Sequence, residues 1–197
     1  MTDIAAGPSE RDKMLAGMLY DANDPELMSC RAAARRLCNA LAALDPADSN
    51  GSSALLRQLF GYETNATVLA PLHCDYGFNI LLGSSVYINV NCVLLDVLPV
   101  RIGSNTLIGP GCHIYTASHP MNSVARRAGL ESGLPVTIEE DVWIGGGAII
   151  CPGVVVGAGS VIGAGSVVTR SVPGRVFAAG NPCRVVRALE PEGGAQQ

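Results

Sequence analysis

Along the second half of the chain, apolar residues recur with a spacing of six. Aliphatic side chains stand at Ile138, Ile144, Ile150, Val156, Ile162 and Val168, and compact residues fill the fifth place of the intervening hexads at Val142, Ala148, Val154, Ser160 and Ser166. Glycine follows the aliphatic at Gly145, Gly157 and Gly163. The same spacing starts at Leu82, Ile88 and Leu94, slips by two residues, and resumes at Ile102, Ile108 and Ile114. A period of six matches neither the 3.6 of a helix nor the 2 of an alternating strand. It fits a triangular coil that turns one aliphatic side chain inward on each side. Three hexads close a coil, and coils stack as parallel strands about 4.8 Å apart. One coil cannot cover its own apolar face, so several must stack. Glycine and other small residues suit the corners, where positive φ or close backbone approach is needed. A β-sandwich with glycine turns does not hold one phase through six consecutive hexads. The pattern predicts a mainly β chain, a parallel β-helix over residues 61–190.

Two segments leave this phase. Residues about 10–60 read as helical. Met14, Leu15, Met18 and Leu19 form one apolar stripe, and Asp24-Pro25 is an N-cap with proline at the first helical position. The helix it opens runs through Leu27, Ala34, Leu37 and Leu41 until Asp45-Pro46 stops it. Ser53 is expected to cap a short helix from Ala54 to Phe60, closed by Gly61. The second departure, 115–134, lies between two regular runs and contains the sequence TASHP. It reads as a loop thrown out of the coil, and long loops on rigid scaffolds often carry function. The division expected is a helical segment over 1–60, the β-helix with its protruding loop over 61–190, and a flexible tail over 191–197.

Composition narrows the function. The 197 residues are 48% hydrophobic and 15% charged, enough apolar content for a sizeable core. A net charge of −4 with scattered arginines argues against a nucleic-acid partner, and one tryptophan, five tyrosines and three phenylalanines make no stacking platform. No apolar leader follows Met1, and no stretch approaches the roughly 18 apolar residues of a membrane span. The seven cysteines contain no C-x-x-C pair and read as small buried hydrophobes in a reducing compartment. Cytoplasm is the expected location, with no membrane partner.

Several motifs are more specific than the hexads: AGMLY near the start, CDYGFNI before the first regular hexads, IYTASHP in the excursion, PVTIEEDVWIGGGAIICPGV, IGAGSVVT, and AAGNPCRVVRAL at the end. Together they resemble the maltose/galactoside O-acetyltransferase family, which includes nodulation acetyltransferases, over roughly residues 10 to 190. The resemblance implies a left-handed winding of the β-helix and a homotrimer with active sites in clefts between subunits. Acetyl-CoA would be the acetyl donor and a sugar hydroxyl the acceptor, with no metal. It further implies that His119 is the general base, since an imidazole can take the proton of an attacking hydroxyl and pass it to the departing thiolate. The amide of Gly146, just after VWIG, would face the thioester oxygen as negative charge builds there. Asp75, Tyr87 and Asn89, with Asp96 nearby, match the acceptor-binding positions. Ala164 and Thr169 match contacts to the pantetheine arm, and Arg170, Arg184 and Arg187 would meet CoA phosphates.

Other readings stand beside these. Asp21, Asp24 and Arg31 either reach the sugar or serve the helical segment. Trp143 reads as a packing residue of the cleft wall or the subunit interface, and His73 and His113 as structural. The acceptor could be an amine or another non-sugar, and a non-catalytic scaffold would share the hexads. The γ-type carbonic anhydrases also use a trimeric β-helix, but they need three histidines around a metal. This chain has three in all, and His73 precedes the regular hexads.

Overall fold

The six-residue phase builds a three-sided β-helix of about six turns. The computed structural model describes residues 7–190. The first face stacks Thr67–Val68, Tyr87–Ile88, Leu107–Ile108, Trp143–Ile144, Val161–Ile162 and Val176–Ala179, all parallel. The second stacks Leu72–Cys74, Cys92–Leu95, His113–Tyr115, Ile149–Ile150 and Val167–Val168. The third stacks Ile80–Leu82, Val100–Ile102, Val136–Ile138 and Val155–Val156. Their registers align Ile88, Ile108, Ile144 and Ile162 in one column, Leu94, Ile114, Ile150 and Val168 in the next, and Leu82, Ile102, Ile138 and Val156 in the third. All are buried except Leu82, which is half-buried against the same core. The fifth-place residues are buried too. Removing each Ile or Val from water contributes about 1.5–3 kcal/mol, which is the force that closes the prism.

The glycines after the aliphatic are explained by close approach. A Cβ on Gly145 would lie 2.5 Å from the Ala164 nitrogen of the next coil. Left-handed φ falls two positions further along, at Asn105, Gly147 and Gly165. Coiling also begins earlier than the regular hexads, at Thr67, so His73 stands on the second face, outward and aligned with Val93 and His113.

One corner departs from regularity in three successive coils. Between the second and third faces the chain takes eight residues from Cys74 to Leu82 and eight from Leu94 to Ile102, then 24 from Ile114 to Ile138. The next passage, Ile150 to Val156, is a plain hexad. The two-residue slip and the long excursion are therefore the same corner, enlarged.

Helices α1 (Glu10–Leu15), α2 (Pro25–Ala43) and α3 (Ser49–Phe60) form the N-terminal segment. Asp24 caps α2 by accepting the amides of Glu26 and Leu27, with Pro25 at the first position. Asp48, rather than Ser53, caps the third helix. Its carboxylate accepts the Gly51 amide at 2.8 Å, while Ser53 lies inside the helix and donates to the Ser49 carbonyl. Gly61 closes α3 with φ 82. The apolar stripe is not one helical face: α1 stops at Leu15, Met14 is buried, and Leu15, Met18 and Leu19 are exposed. Ala34, Cys38 and Leu41 of α2 join the main core, and α2 packs on strand Leu72–Cys74.

The excursion is folded. Ala117–Ser118 and Leu130–Gly133 pair antiparallel around a short helix, α4 (Ser123–Arg127), and Tyr20–Asp21 adds a third strand on the far side of Leu130–Gly133. Gly133 admits the return strand, because a Cβ there would lie 2.7 Å from a Val97 methyl carbon and 2.8 Å from the Thr116 carbonyl oxygen. A second small core of Met14, Tyr20, Leu27, Tyr76 and Val97 joins the N-terminal segment, the enlarged corner and this sheet. At the other end, Arg184–Ala188 runs antiparallel to Val176–Ala179 and ends the stack. The expected tail, 191–197, lies outside the described residues.

Candidate active site

At the enlarged corner, residues far apart in sequence converge. His119 directly follows the paired strand Ala117–Ser118 at the mouth of the small sheet, with 60% of its side chain exposed and Nε2 3.9 Å from Glu131 Oε1. Tyr20 donates its hydroxyl to Glu131 Oε2 at 2.6 Å. Burial raises the Tyr20 phenol pKa, and the bond to Glu131 raises it further, so Tyr20 stays a neutral donor. Asp75 is half-buried, and its pKa is pushed up to about 6, first by burial and then by Glu131, against the pull of Arg31 and Arg35. Arg31 donates to the Tyr76 hydroxyl at 2.7 Å and to the Ala22 carbonyl at 2.5 Å, tying α2 to the CDYG corner. A cleft of about 240 Å³, lined by Ala22, Asn23, His119, Arg126 and Gly129, opens beside the imidazole. Hollows of about 560 and 540 Å³ lie along the first coils and beneath the α2–α3 turn, and hold none of the candidate residues.

Asp96 has a different place from the one expected of an acceptor-binding residue. It is fully buried, and its carboxylate accepts the amides of Asp75, Tyr76 and Asn79 at 3.0, 2.8 and 3.3 Å. Burial pushes its pKa up to about 7, opposed by the Tyr76 amide. Asp96 shapes the corner from within and presents no oxygen to solvent. Asp24 is engaged as the α2 cap, and Asp21 accepts the Asn23 amide at 2.8 Å.

A second set of candidates lies along the corner between the first and second faces. Asn89 follows Ile88 there, Gly146 follows the Ile144-Gly145 pair, and Ala164 the Ile162-Gly163 pair. At this place in a coil the amide points away from the ladder and needs another acceptor. At some corners one is supplied: Ala158 donates to Glu139 at 2.8 Å and Ser84 to the Ser104 hydroxyl at 3.1 Å. The amides of Gly146 and Ala164, one coil apart, have no acceptor among the described residues, and the same holds for those of Ser104, Glu140 and Arg170 at the other corners. Pro110 occupies the same slot one coil before Gly146 and has no amide hydrogen. Arg184 pairs with Ala179, which stacks on Gly163, the residue before Ala164, and its guanidinium donates to the Cys183 carbonyl at 2.8 Å. Arg187 lies opposite Phe177 with its guanidinium 6.0 Å from the ring. Tyr87 is half-buried just before the Asn89 corner, and Asn89 accepts its neighbour's amide at 2.8 Å. Trp143 is exposed on the outer side of the first face. Thr169 and Arg170, both exposed, follow Val168 at the next corner.

One chain thus divides its candidates. The imidazole and its carboxylate neighbours occupy the corner after Ile114, whereas the Gly146 and Ala164 amides and Arg184 occupy the corner after the first face. His113 is paired internally, its Nδ1 2.5 Å from the Tyr115 hydroxyl. Among the described residues, no group of three or more His, Cys, Asp or Glu could hold a metal ion, and no helix is long and apolar enough to cross a membrane. Among the cysteines, Cys38, Cys92, Cys112 and Cys183 are buried, and Cys38 Sγ lies 3.7 Å from Cys74 Sγ. No sequence motif assigns a role to Tyr20 or Glu131. AGMLY carries Tyr20, but nothing in the sequence near Glu131 indicates its partner.

A maltose acetyltransferase hexapeptide capping motif matches residues 13–62, and a bacterial transferase hexapeptide of six repeats matches residues 135–170. The chain is 50% identical to Nodulation protein L of Rhizobium leguminosarum bv. viciae over 183 residues, 90% of this chain and 94% of the relative. Its fold matches the crystal structure of a maltose O-acetyltransferase from Clostridium difficile 630 with a TM-score of 0.91 and 41% identity, covering 94% of this chain and 100% of that one. It also matches a hexapeptide-repeat acetyltransferase from Vibrio cholerae O1 biovar eltor, complexed with acetyl coenzyme A, with a TM-score of 0.85 and 39% identity, covering 93% and 100%. With a relative 50% identical over 90% of the chain and a maltose O-acetyltransferase structure matched over 94% of it, the chain belongs to the maltose/galactoside O-acetyltransferase family of hexapeptide-repeat acetyltransferases.

Proposed function

We propose that this acetyltransferase moves an acetyl group from acetyl-CoA to a sugar hydroxyl, in clefts between the subunits of a homotrimer. The observation that carries the reading is the exposed His119 imidazole beside a cleft at the enlarged corner, in a fold shared with an acetyltransferase complexed with acetyl coenzyme A; the Gly146 and Ala164 amides stand on another corner. A second copy that brings its histidine corner against the amide corner would complete a site that one chain leaves divided. The acetyl coenzyme A bound to the Vibrio cholerae protein supports the donor, and the maltose acetyltransferase capping motif supports a sugar acceptor.

In this cleft His119 takes the proton of the acceptor hydroxyl as its oxygen attacks the thioester carbon. The carbonyl oxygen gains negative charge, and the Gly146 amide donates to it. Collapse of the tetrahedral species breaks the carbon–sulfur bond, and the thiolate takes the proton from the imidazolium. Asp75, Tyr87 and Asn89 hold the acceptor. Ala164 and Thr169 hold the pantetheine arm, and Arg170, Arg184 and Arg187 hold the phosphates. Asp96 acts through the backbone that carries Asp75. With the protein in the reducing cytoplasm, the thiols stay free.

The test is release of free CoA thiol from acetyl-CoA across a panel of maltose, glucose, galactosides and non-sugar alcohols and amines. Sugar-dependent release that falls about 10²–10⁴-fold in His119→Ala is expected. Release driven only by an amine would replace the acceptor, and an unaffected His119→Ala would remove the base.

A further inference from the structure

The small sheet beside the cleft places three side chains in one row. Tyr20 is directly opposite Glu131 in one strand pair, and Ser118 is opposite Ser132 in the other. Continuing that antiparallel register by one residue sets His119 opposite Glu131. Residues directly opposite in an antiparallel pair project from the same face, with Cβ atoms about 4.5–5.5 Å apart. The side chains follow this order, with the Tyr20 hydroxyl on one Glu131 oxygen at 2.6 Å and His119 Nε2 3.9 Å from the other.

We propose that Glu131 is a positioning residue for His119 and that Tyr20 fixes Glu131 in turn, an inference that rests on the reading of His119 as the base. The row is graded in exposure. Tyr20 is buried in the second core, the Glu131 side chain is 13% exposed, and the His119 side chain is 60% exposed. The inner end is thereby anchored by packing and the outer end meets the acceptor. Closing the 3.9 Å gap by about 1 Å brings the facing ring nitrogen within hydrogen-bond distance. The carboxylate then accepts that N–H, selects one tautomer and leaves the other ring nitrogen to the acceptor hydroxyl. It also stabilises the imidazolium that forms as the proton is taken. Asp75, Arg31 and Arg35 border the row. The two arginines offset the repulsion between the Asp75 and Glu131 carboxylates. The N-terminal strand that carries Tyr20 therefore serves the chemistry as well as covering the first coil.

The experiment compares Glu131→Gln, Glu131→Asp, Tyr20→Phe, His119→Ala and the double variant His119→Ala/Glu131→Gln in the intact protein. Subunit assembly and melting are measured for each. Glu131→Gln should lower kcat about 10–100-fold with the KM for acetyl-CoA held within about twofold. Glu131→Asp should recover part of that loss, and Tyr20→Phe should lower kcat about 3–10-fold. Adding Glu131→Gln to His119→Ala should cost no further activity, because the two residues act as one unit. Wild-type kcat in Glu131→Gln, or an undiminished second loss in the double variant, would overturn the inference. If Glu131→Gln does not assemble, Glu131→Asp and Tyr20→Phe carry the test, and wild-type kcat in both overturns it. Full turnover in His119→Ala is a separate failure, that of the base itself.

Discussion

Tyr20 and Glu131 are hydrogen-bonded across 2.6 Å although 111 residues separate them in the chain. The bond joins the first extended segment to the return strand of the excursion, and both rest on the core of Met14, Leu27, Tyr76 and Val97. The geometry around His119 is therefore a joint product of the N-terminal cap and the third coil.

The divided site leads to a test by complementation. His119→Ala damages the histidine corner and Gly146→Pro removes the free amide from the other. Pro110 already occupies the equivalent slot one coil earlier, so the corner accommodates proline. Gly146→Pro alone should lower kcat about 10²–10³-fold. Co-assembled with His119→Ala subunits, it should recover part of the wild-type turnover, since one cleft per mixed trimer can combine two intact corners. Mixed trimers as inactive as either parent would place both corners of a site in one chain. Sedimentation at about three times 20.3 kDa is expected for the parent protein.

Arg184 pairs with Ala179 beside the corner that carries Gly146 and Ala164, and Arg187 lies on the same terminal strand. Arg184→Ala and Arg187→Ala should each raise the KM for acetyl-CoA about 3–30-fold while leaving the acceptor KM near its starting value. Initial-rate kinetics in both substrates decide the matter. An unchanged donor KM would leave these arginines as solvated surface groups.

Asp96 and Asp75 give stability a pH dependence with a definite sign. Burial pushes their carboxyls up to about 7 and about 6, well above the ~3.9 of an unfolded aspartate. The folded chain then binds these protons more tightly than the unfolded chain. Their stabilising contribution is complete below about pH 4 and is lost as pH rises through 6 and 7, by at most about 1.4 kcal/mol per pH unit for one group. Asp96→Asn removes the larger contribution. Its melting temperature relative to wild type should rise as the pH goes from 4 to 8, and a difference independent of pH would refute this.

Neighbouring glycines should respond differently to a methyl group. On Gly145 it would lie 2.5 Å from the Ala164 nitrogen, whereas on Gly146 its nearest neighbour would be the Pro110 carbonyl oxygen at 3.1 Å. Gly145→Ala should destabilise by about 2 kcal/mol or more and Gly146→Ala by under about 1 kcal/mol. Denaturant unfolding of the two variants distinguishes close coil stacking from a loosely packed corner.

The inward columns and helix α2 could be read directly because the signals that encode them are local. Ile144 faces inward for the same reason as Ile150, and Asp24-Pro25 starts a helix using neighbours two and three residues away. Local signals also mislead. Ser53 and Asp48 are both capping residue types, and the choice between them depended on which oxygen met the Gly51 amide. Tyr20–Asp21 is a strand of two residues, too short to show any alternation, and its partners Glu131 and Leu130 lie 111 and 109 positions away.

By itself the sequence determined the parallel coils, the inward aliphatic columns, the main helices and the excursion that holds His119, because each follows from spacing or capping within a few residues. Only the tertiary structure decided that Asp96 lies inside the corner, that Tyr20 and Glu131 stand in line with His119, and that the free amides of Gly146 and Ala164 share a different corner. Those relationships depend on how many residues each coil uses between faces and on strand pairings across more than 100 residues. No local pattern encodes either.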